Sequence, residues 1–462
     1  MREITVEAAV VGAGTAGSGA ALNLARSGMR VALIEHRRFE EAGARWINAI
    51  PPWMLDFAGV PRPEPPEACD HGMPVAIFTK NDAPCFILDP SPVWKTDMRG
   101  LVRRLHRLCR DSGVEMIDRA RLDAVELDGG RPAAIRLQRE EFAADGEPIV
   151  VRARLFIDAT GLSGMLRRRV PALDSACPPA PPEHLCSAMM ETCAIADPGG
   201  AKAFLTRLGA PPQHVACWFA VEGGFSTLNI FVDRNYRQAD ILVGAATVKG
   251  AKTGPAMLRE VKARHPWLGA AVLSGAGLIP LRRPYDRLAA PGAALIGDAA
   301  CQVFSAHGSG VGMGLVAGRL LADEVSRFYD PGSEPATWSY AAAFQRRFGA
   351  TLAAYDLVRR LTQNLAGEET DRLLTSGLLG PDMMRFGLDQ KLPKAKASGV
   401  ASMAKGFARE PRLAGRMALT AARLPLVVAA YKLYPRRPDL DALAGWSRRV
   451  AKLFGEKPDL GG

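Results

Sequence analysis

The 462-residue chain has only eight cysteines, and they are scattered along its length. No two of them form a Cys-x-x-Cys pair, and no cluster of cysteine and histidine has the spacing of metal ligands. Disulfide scaffolds and zinc sites both need such clusters. The sequence therefore predicts neither a disulfide framework nor a bound metal, and we expect most of the cysteines to be small buried apolar residues.

Long apolar runs are also missing. A membrane-spanning helix needs about 20 consecutive apolar residues, and the best uncharged candidate, Leu424 to Tyr431, is far shorter. A strand-like run begins directly after Met1-Arg2-Glu3, which leaves no room for a secretory signal. We therefore expect a cytosolic protein without a spanning helix.

Basic charge is in excess, with a net charge of +11, but it is concentrated near the end of the chain. Residues 391–462 contain 15 Lys and Arg against 5 Asp and Glu, so residues 1–390 are close to neutral. A nucleic-acid-binding protein usually spreads basic charge over its fold and carries a reading motif. The sequence shows neither feature and predicts no nucleic-acid partner.

The first 35 residues contain a pattern typical of dinucleotide binding. A run rich in β-branched residues, 4–11, leads into the motif Gly12-x-Gly14-x-x-Gly17. A helical pattern follows and ends at Gly28, and a second apolar run ends at Glu35. In this order the segments predict a strand, a helix and a second strand that hold a dinucleotide. A glycine-rich turn of an ordinary α/β protein is the weaker alternative.

Each residue type in this unit has a physical task. Gly12 permits the tight turn, Gly14 lets the backbone approach a diphosphate, and Gly17 lets the helix lie close to the sheet. The free N–H groups of the first helical turn then face the diphosphate. Glu35 is placed to accept hydrogen bonds from both hydroxyls of an adenosine ribose. Because a carboxylate repels a 2′-phosphate, the pattern disfavours an NADP-type ligand here.

Three later segments point to the same sheet. The apolar run 155–157 ends in Asp158-Ala-Thr-Gly161, and the run 293–296 ends in Gly297-Asp298. Strands that end in polar and glycine residues direct backbone and side chains at an anionic ligand. The glycines from Gly308 to Gly314 then open a long helix. They lack the strand and acid of a second dinucleotide unit, so we favour a close backbone approach to a ring system over a second phosphate site.

The remaining patterns divide the chain into units. Residues 121–157 alternate like a hairpin, with one turn at 128–130 and an acidic loop around 145–146. Strand-like runs within 213–248 carry no nucleotide signal and suit the wall of a substrate cavity, and the pattern from Pro331 onward is helical. The predicted units are a nucleotide-binding domain of residues 1–75, 95–175 and 278–330, an antiparallel-sheet substrate domain of residues 76–94 and 176–277, and a helical basic region of residues 331–462.

The order of these motifs resembles the FAD-dependent flavoproteins built like p-hydroxybenzoate hydroxylase, which include aromatic monooxygenases, flavin halogenases and geranylgeranyl reductases. The motifs that carry the resemblance are Gly12–Gly17 with Glu35, Arg99 at the start of a helix, Asp158–Gly161 and Gly297–Asp298. The resemblance covers roughly residues 1–330. It implies a Rossmann-like α/β domain that binds extended FAD, with the adenosine at the first glycine loop and the isoalloxazine near Gly308 to Gly314. The implied cofactor-binding residues are Gly12, Gly14, Thr15, Ala16, Gly17, Glu35, His36, Arg45, Arg99, Asp158, Gly161, Gly297, Asp298, Gly308, Gly310, Val311 and Gly312.

Within this group the segment 297–322 looks most like geranylgeranyl reductases and related flavoprotein dehydrogenases. Aromatic hydroxylases usually follow Gly-Asp-Ala with a Pro-Pro pair and an Asn-bearing turn, which Val303–Ala306 lacks. The reductases often carry a cysteine shortly after the first nucleotide unit. Residues 45–51 contain none, so the resemblance does not supply a proton donor.

Several residues near the expected ring site have open roles. The resemblance implies that Asp298 orders the ribityl or diphosphate part of the cofactor, and a plain helix N-cap is the alternative. The N-terminus of the helix near Gly308 to Gly312 offers a positive dipole to reduced flavin. His307 is the candidate proton donor, against a purely structural role, and Arg45 with Trp46 lines the cavity.

These expectations leave three functions open. The first is a reductase or dehydrogenase acting on a C=C or C–C bond of an apolar, isoprenoid or lipid substrate. The second is an FAD-dependent monooxygenase or halogenase, in which reduced flavin reacts with oxygen. The third is a membrane-surface protein that uses FAD only structurally. The electron donor is NAD(P)H or a ferredoxin, since the sequence has no second complete nucleotide unit.

The basic tail supports two interpretations. Lysine and arginine recur at helical spacing from Lys405 to Arg423, with Pro411 expected to divide the path into two helices. A basic amphipathic tail in residues 391–462 suits an anionic membrane surface. A solvated face of helices packed on the catalytic body is equally compatible. We therefore expect a cytoplasmic protein that is either free or peripheral at the inner face of the membrane.

Overall fold

The computed structural model describes residues 2–139, 148–393 and 408–460. The loop expected around 145–146 and the residue Lys405 lie outside these ranges. The strands, in chain order, are β1 (Arg2–Thr5), β2 (Ala8–Val11), β3 (Val31–Ile34), β4 (Ile47–Ile50), β5 (Ala68–His71), β6 (Val75–Phe78), β7 (Pro84–Leu88), β8 (Trp94–Asp97), β9 (Glu115–Ile117), β10 (Ala120–Asp128), β11 (Arg131–Arg139), β12 (Ile149–Arg152), β13 (Leu155–Asp158), β14 (Leu185–Ile195), β15 (Val215–Phe219), β16 (Ser226–Val232), β17 (Gln238–Ala246), β18 (Leu268–Pro280), β19 (Ala289–Ala290) and β20 (Ala293–Leu295). The α-helices are α1 (Thr15–Arg26), α2 (Pro52–Phe57), α3 (Met98–Asp111), α4 (Pro171–Asp174), α5 (Pro198–Leu208), α6 (Gly254–Arg264), α7 (Val311–Val325), α8 (Glu334–Phe344), α9 (Ala350–Gln363), α10 (Gly367–Thr375), α11 (Pro381–Leu388), α12 (Pro411–Lys432) and α13 (Leu440–Phe454).

A six-stranded sheet with the order β19-β20-β13-β2-β3-β9 forms the centre of the nucleotide-binding unit. The five strands from β20 to β9 are parallel. Their side chains are almost completely buried, as Val10, Leu33 and Ile157 show with 0% exposure, which is typical of a parallel sheet covered on both faces. α1 ends before Gly28, whose φ of +91° favours glycine. The Rossmann-like fold expected from the glycine motif is confirmed.

The first apolar run is divided, which the sequence pattern did not predict. Only β2 belongs to the six-stranded sheet, whereas β1 pairs with β12 at the edge of a four-stranded sheet of order β1-β12-β11-β10. The two strands separate at Val6 and Glu7, where the N–H of Val6 donates to the carbonyl of Arg152. The expected hairpin of β10 and β11 is present, with its turn at 129–130.

A seven-stranded sheet with the order β18-β14-β17-β16-β15-β6-β7 forms the second layer. It is antiparallel except between β15 and β6. The predicted strands within 213–248 all lie in it, while β14 and most of β18 were not recognised. β18 continues to Pro280, so the domain boundary predicted at 278 falls inside a strand. A small sheet of order β4-β8-β5 contacts its edge through Trp46, which lies 3.5 Å from the Cβ position of Gly275.

The described C-terminal residues, 331–393 and 408–460, are mostly helical, as predicted. α7 packs on α1 through small residues, because a Cβ on Gly318 would lie 2.8 Å from the backbone nitrogen of Ala20. α8, α9, α12 and α13 share a separate core that contains Trp338, Val427 and Trp446. α12 has 22 residues, and its most apolar 18-residue window has a mean hydropathy of 1.4, so by length and composition it is long and apolar enough to cross a membrane. Only 17% of that window is buried, and the apolar length of this helix was not predicted from the sequence.

Candidate functional site

The glycine loop between β2 and α1 tolerates no side chain at two of its positions. Gly12 has a φ of +103°, and a Cβ there would lie 2.3 Å from the carbonyl oxygen of Ala159. A Cβ on Gly17 would lie 1.9 Å from the carbonyl oxygen of Gly12. At Gly14 the nearest neighbour is the Cα of Gly43 at 3.7 Å, so this position is open. The loop thus exposes backbone at the N-terminus of α1, as anion binding requires.

Two side chains hold this loop in place through Ala13. The N–H of Ala13 donates to Oε2 of Glu35 at 2.9 Å. Nε2 of His106 donates to the Ala13 carbonyl at 2.9 Å. Burial lowers the pKa of His106, with the Ala13 bond acting in the opposite direction. His106 lies on α3, 93 residues from the loop, and no local signal marked it in the sequence.

Glu35 is 3% exposed and already accepts several hydrogen bonds. Besides Ala13, it accepts from the N–H of Arg37 at 3.1 Å and contacts Nδ1 of His36 at 2.9 Å. The carboxylate therefore joins the tip of β3 to the glycine loop. The ribose contacts predicted for Glu35 and for the exposed His36 stay predictions.

Asp158 organises a turn instead of facing the cleft. Its Oδ1 accepts from the N–H and the hydroxyl of Thr160 at 2.9 and 2.7 Å, and its Oδ2 accepts from the N–H of Arg167 at 2.6 Å. Burial raises the pKa of Asp158, partly offset by these bonds. A side chain with 0% exposure cannot touch a ligand, so Asp158 acts on the cofactor region only by shaping the turn that ends near Gly161.

Asp298 has the properties expected of a ligand-binding residue. It follows β20 at the start of the 3₁₀ turn Gly297–Ala300, and a Cβ on Gly310 would lie 2.9 Å from its Oδ1. Within residues 2–139, 148–393 and 408–460 its carboxylate has no hydrogen-bond or ion-pair partner. Burial raises its pKa to about 6. The side chain is partly exposed and keeps its acceptors free, which fits the predicted contact with FAD.

We expect Asp298→Asn to stabilise the cofactor-free protein above pH 6 and to weaken its binding of FAD. The folded-state pKa is about 6, against an ordinary 3.8. The charged carboxylate therefore opposes folding, an effect that is full above pH 6 and disappears below about pH 4. The amide removes about 1–3 kcal/mol of this cost at pH 7.5. The melting temperatures of the flavin-free wild type and variant at pH 4 and 7.5 test the effect on stability, and FAD titrations test the effect on binding. Equal melting temperatures of the two proteins at pH 7.5 would contradict the prediction.

His307 is exposed beside Gly308 at the start of the glycine-rich segment. Nε2 donates to the carbonyl of Gly387 on α11 at 3.2 Å, and the ring centroid is 4.7 Å from that of Phe304. Burial lowers the pKa of His307 to about 4, so the ring is neutral at pH 7. The structure places His307 between the glycine-rich segment and α11, and its role as proton donor stays a prediction.

Arg99 and Arg45 approach the region from the small sheet. Nη2 and Nε of Arg99 donate to Asp97 at 2.8 and 3.1 Å, and the side chain remains 37% exposed. Arg45 is exposed, and its carbonyl lies 2.9 Å from the Cβ position of Gly275 on β18. Contacts of both arginines with the cofactor stay predictions.

Glycine segments from distant parts of the chain meet at the carboxyl ends of β2, β13 and β20. A Cβ on Gly297 would lie 3.0 Å from the Cβ of Ala16, and one on Gly314 would lie 2.8 Å from the same atom. Backbone therefore replaces side chains across the cleft. Ligands of open α/β sheets bind at this edge, so the cleft suits an extended dinucleotide.

The seven-stranded sheet turns one face toward this cleft. On β16, Leu228, Ile230 and Val232 are buried with residues of α5 and α6, while the intervening residues from Thr227 to Phe231 are partly exposed on the other face. Ile279 brings that face to the glycine segment, with its Cδ1 3.7 Å from the Cβ position of Gly308.

Helices α10 and α11 cover the far part of the same face. Leu374 and Met384 pack there with Ile77, Cys217 and Phe219. A crevice of about 180 Å³ lies on the opposite face of the sheet, between α6 and residues such as Leu228. The wall shared with the glycine segments is therefore the one suited to a substrate.

Comparisons with known proteins agree with this geometry. A family model described as FAD dependent oxidoreductase matches residues 7–168. A digeranylgeranylglycerophospholipid reductase of Sulfolobus acidocaldarius is 21% identical, over 99% of this chain and 99% of the relative.

Two solved structures extend the comparison. A geranylgeranyl bacteriochlorophyll reductase-like protein from Thermoplasma acidophilum superposes with a TM-score of 0.71 at 17% identity, over 90% of this chain and 100% of that chain. A flavin-dependent brominase superposes with a TM-score of 0.60 at 14% identity, over 88% and 99%. At these identities the structural likeness establishes the fold.

Proposed function

We propose that this chain, which is an FAD-dependent oxidoreductase, adds hydrogen to carbon–carbon double bonds of an isoprenoid lipid. The observation that carries the proposal is the wall formed by the seven-stranded sheet. Near the glycine segments this wall is apolar, with Cys186, Ala188 and Ile279 in one cluster. An aliphatic chain suits such a surface, since ligand pockets are mostly apolar with few polar groups.

The opposite end of the same face is polar. The ammonium of Lys95 lies 3.6 Å from the centroid of the Phe231 ring and is paired with Asp240, whose Oδ1 accepts from the hydroxyl of Thr192. Six residues of β14 separate Thr192 from Cys186, a distance of about 20 Å along an extended strand. A long substrate with an apolar chain and a polar head matches this gradient better than a single aromatic ring.

The relative from Sulfolobus acidocaldarius supports the same substrate class, because its name states that it reduces a digeranylgeranylglycerophospholipid and it aligns over 99% of both chains. The brominase shares the fold at 14% identity. Because the named reductase aligns over nearly the full length of both chains, we favour a reductase over an enzyme whose reduced flavin reacts with oxygen.

Bound FAD would carry two electrons and exchange a hydride with the substrate. The chain binds and orients: the N-terminus of α7 offers a positive dipole and free N–H groups, and α11 covers the site through the Gly387 contact of His307. Trp46 narrows the opening beside β18, where its ring lies 3.7 Å from the Cβ position of Gly277.

The experiment uses the FAD-loaded protein without oxygen, reduced by dithionite and mixed with a phospholipid that carries unsaturated isoprenoid chains. We expect products that gain two hydrogens for each double bond, measured by mass spectrometry, and no product from the fully saturated lipid. Rapid substrate-dependent consumption of oxygen in air, without saturation of the lipid, contradicts the proposal and indicates a monooxygenase.

The proton-donor role of His307 has its own signature. Because its pKa is about 4, the protonated fraction rises about tenfold for each pH unit between 7 and 5. We expect the turnover number of the wild type to rise accordingly as pH falls, and that of His307→Gln to stay flat and lower by about 100-fold at pH 5. A wild-type profile that is already flat assigns His307 to holding α11 instead.

The redox partner and the location complete the proposal. NAD(P)H or a ferredoxin supplies the electrons, and anaerobic reduction of the flavin with each candidate distinguishes them. The chain acts in the cytoplasm at the inner face of a membrane, which residues 391–462 contact. A lipid substrate and the exposed apolar surface of α12 support this location.

A further inference from the structure

One side of α12 is apolar and exposed to solvent. Leu419, Leu426 and Leu433, at the C-cap, are 71%, 55% and 70% exposed. Exposed apolar or small residues recur at spacings of three and four and cover an arc of about 120° at 100° per residue. They are Gly415, Ala418, Leu419, Ala422, Pro425, Leu426, Ala429 and Leu433, here called the α12 strip.

The opposite side of α12 is fixed to the body. Val427 and Tyr431 have 0% exposure, and Leu413 is 4% exposed in a cluster with Leu365 and Leu373. Arg416 donates to Glu369 at 2.9 Å, so it does not belong to a free basic face, contrary to the predicted stripe. The helix cannot cross a bilayer without losing these contacts, and the strip points away from the body.

Basic residues border the strip on both sides. Arg412 and Arg423 lie along one edge, Lys432 lies along the other, and Arg436 and Arg437 follow the helix. All five are exposed, and none has an acidic partner among residues 2–139, 148–393 and 408–460. An apolar stripe between cations is the pattern of helices that lie in the interface of an anionic membrane.

We propose that the α12 strip docks the protein on the surface of an anionic lipid bilayer, with the leucines inserted between headgroups and the basic residues paired with lipid phosphates. The charges around the strip oppose binding of a second copy of the chain to this surface. Two strips placed face to face would bring their arginines together, and like charges oppose such a contact. Lipid phosphates complement the same charges.

The location of the strip connects it to the substrate. The first half of α12 packs on α10 through Leu413 and Leu373, and α10 with α11 covers the apolar wall. The strip therefore lies beside the helices that cover the apolar wall. This inference rests on the proposed function, because a lipid substrate would enter from the surface that the strip contacts.

The test is sedimentation of the FAD-loaded protein with vesicles of phosphatidylglycerol and phosphatidylcholine. We expect the triple variant Leu419→Glu, Leu426→Glu, Leu433→Glu to lower vesicle affinity by at least about 100-fold. Arg423→Gln and Lys432→Gln should each lower it about fivefold, and only at low salt. The matched control is Val272→Glu, since Val272 is 60% exposed on β18 and its substitution should leave affinity unchanged.

Three results overturn the inference. They are wild-type protein that does not sediment with anionic vesicles, equal sedimentation of the triple variant, and a stable dimer that only the triple variant dissociates. Resistance of the bound wild type to alkaline carbonate overturns it in favour of a spanning helix. Reduction of a detergent-dispersed lipid is measured in parallel. Normal reduction without vesicle binding leaves the proposed reaction standing and contradicts the membrane location, whereas vesicle binding without reduction contradicts only the proposed reaction.

Discussion

Gly17→Ala is expected to abolish FAD binding and to destabilise the protein by about 3 kcal/mol or more. The added Cβ would lie 1.9 Å from the carbonyl oxygen of Gly12 and 3.0 Å from the Cβ of Ala159. The backbone of Gly12 cannot move away from α1, because a Cβ position built on it is only 2.3 Å from the carbonyl oxygen of Ala159. Relief requires α1 to move off the sheet, which would displace the N–H groups that are predicted to bind the diphosphate.

Two other glycines provide matched comparisons. Gly14→Ala has room, with its nearest neighbour at 3.7 Å, so it should fold normally and lower FAD affinity at least tenfold by blocking the approach of the ligand. Gly445→Ala on α13 meets the flexible ends of Arg449 and Arg448 at 3.6 and 3.9 Å and should be neutral or stabilising by up to about 1 kcal/mol. Flavin absorbance per protein and urea midpoints measure both effects. Full flavin content in Gly17→Ala would show that the loop is not the anchor.

Asp459→Ala is expected to cost about 3–5 kcal/mol of stability, because it strands a buried cation. Nη2 of Arg282 donates to both carboxylate oxygens of Asp459 at 2.8 and 2.7 Å. The two side chains are 6% and 5% exposed. Burial alone would raise the pKa of Asp459, but Arg282 and Arg283 outweigh it and hold that pKa below its usual value.

A second variant distinguishes the effect of leaving one charge unpaired from a general disruption of packing near Asp459. Arg282→Met with Asp459→Leu removes both charges and should lose much less stability than Asp459→Ala alone. Lys457→Ala, at an exposed neighbouring position, should change the free energy of unfolding by less than about 0.5 kcal/mol. Thermal and urea unfolding measure all three. If Asp459→Ala behaves like Lys457→Ala, the pair contributes little.

The parts of the fold that could be predicted carry their chemistry in adjacent residues. The turn at Gly12, the end of α1 at Gly28 and the hairpin turn at Gly129–Gly130 depend on local backbone geometry, and each has a positive φ. β14 and β18 were missed because Gly, Ala and Met have weak strand preference. Their pairing joins residues 73–95 positions apart, such as Cys186 with Ile279.

The residues of the candidate site likewise include some that a local sequence pattern marks and some that only long-range contacts bring together. Asp298 was recognised because glycine and an acid follow an apolar run, whereas His106 reaches Ala13 across 93 residues. The sequence also could not distinguish an acid that faces a ligand from one that closes its own turn. Asp158 does the latter through Thr160 and Arg167, since aspartate readily bonds to nearby backbone. Only the burial of the side chain, which the structure gives and the sequence does not, distinguishes an acid that faces a ligand from one that closes its own turn.

The ion pairs of Arg282 and Arg283 also constrain how the protein is made. Arg283 has 0% exposure and donates to Glu456 at 2.8 Å, and Arg282 finds Asp459 only 177 residues later in the chain. On the ribosome, both arginines emerge long before these carboxylates. Arg283 also pairs with Asp286, three residues away, but the interior around Arg282 holds a charge without its carboxylate until residue 459 has been synthesised, and until then it cannot close. The catalytic body should therefore stay open and chaperone-accessible until the segment that carries Glu456 and Asp459 has been synthesised, although its glycine loop is made much earlier.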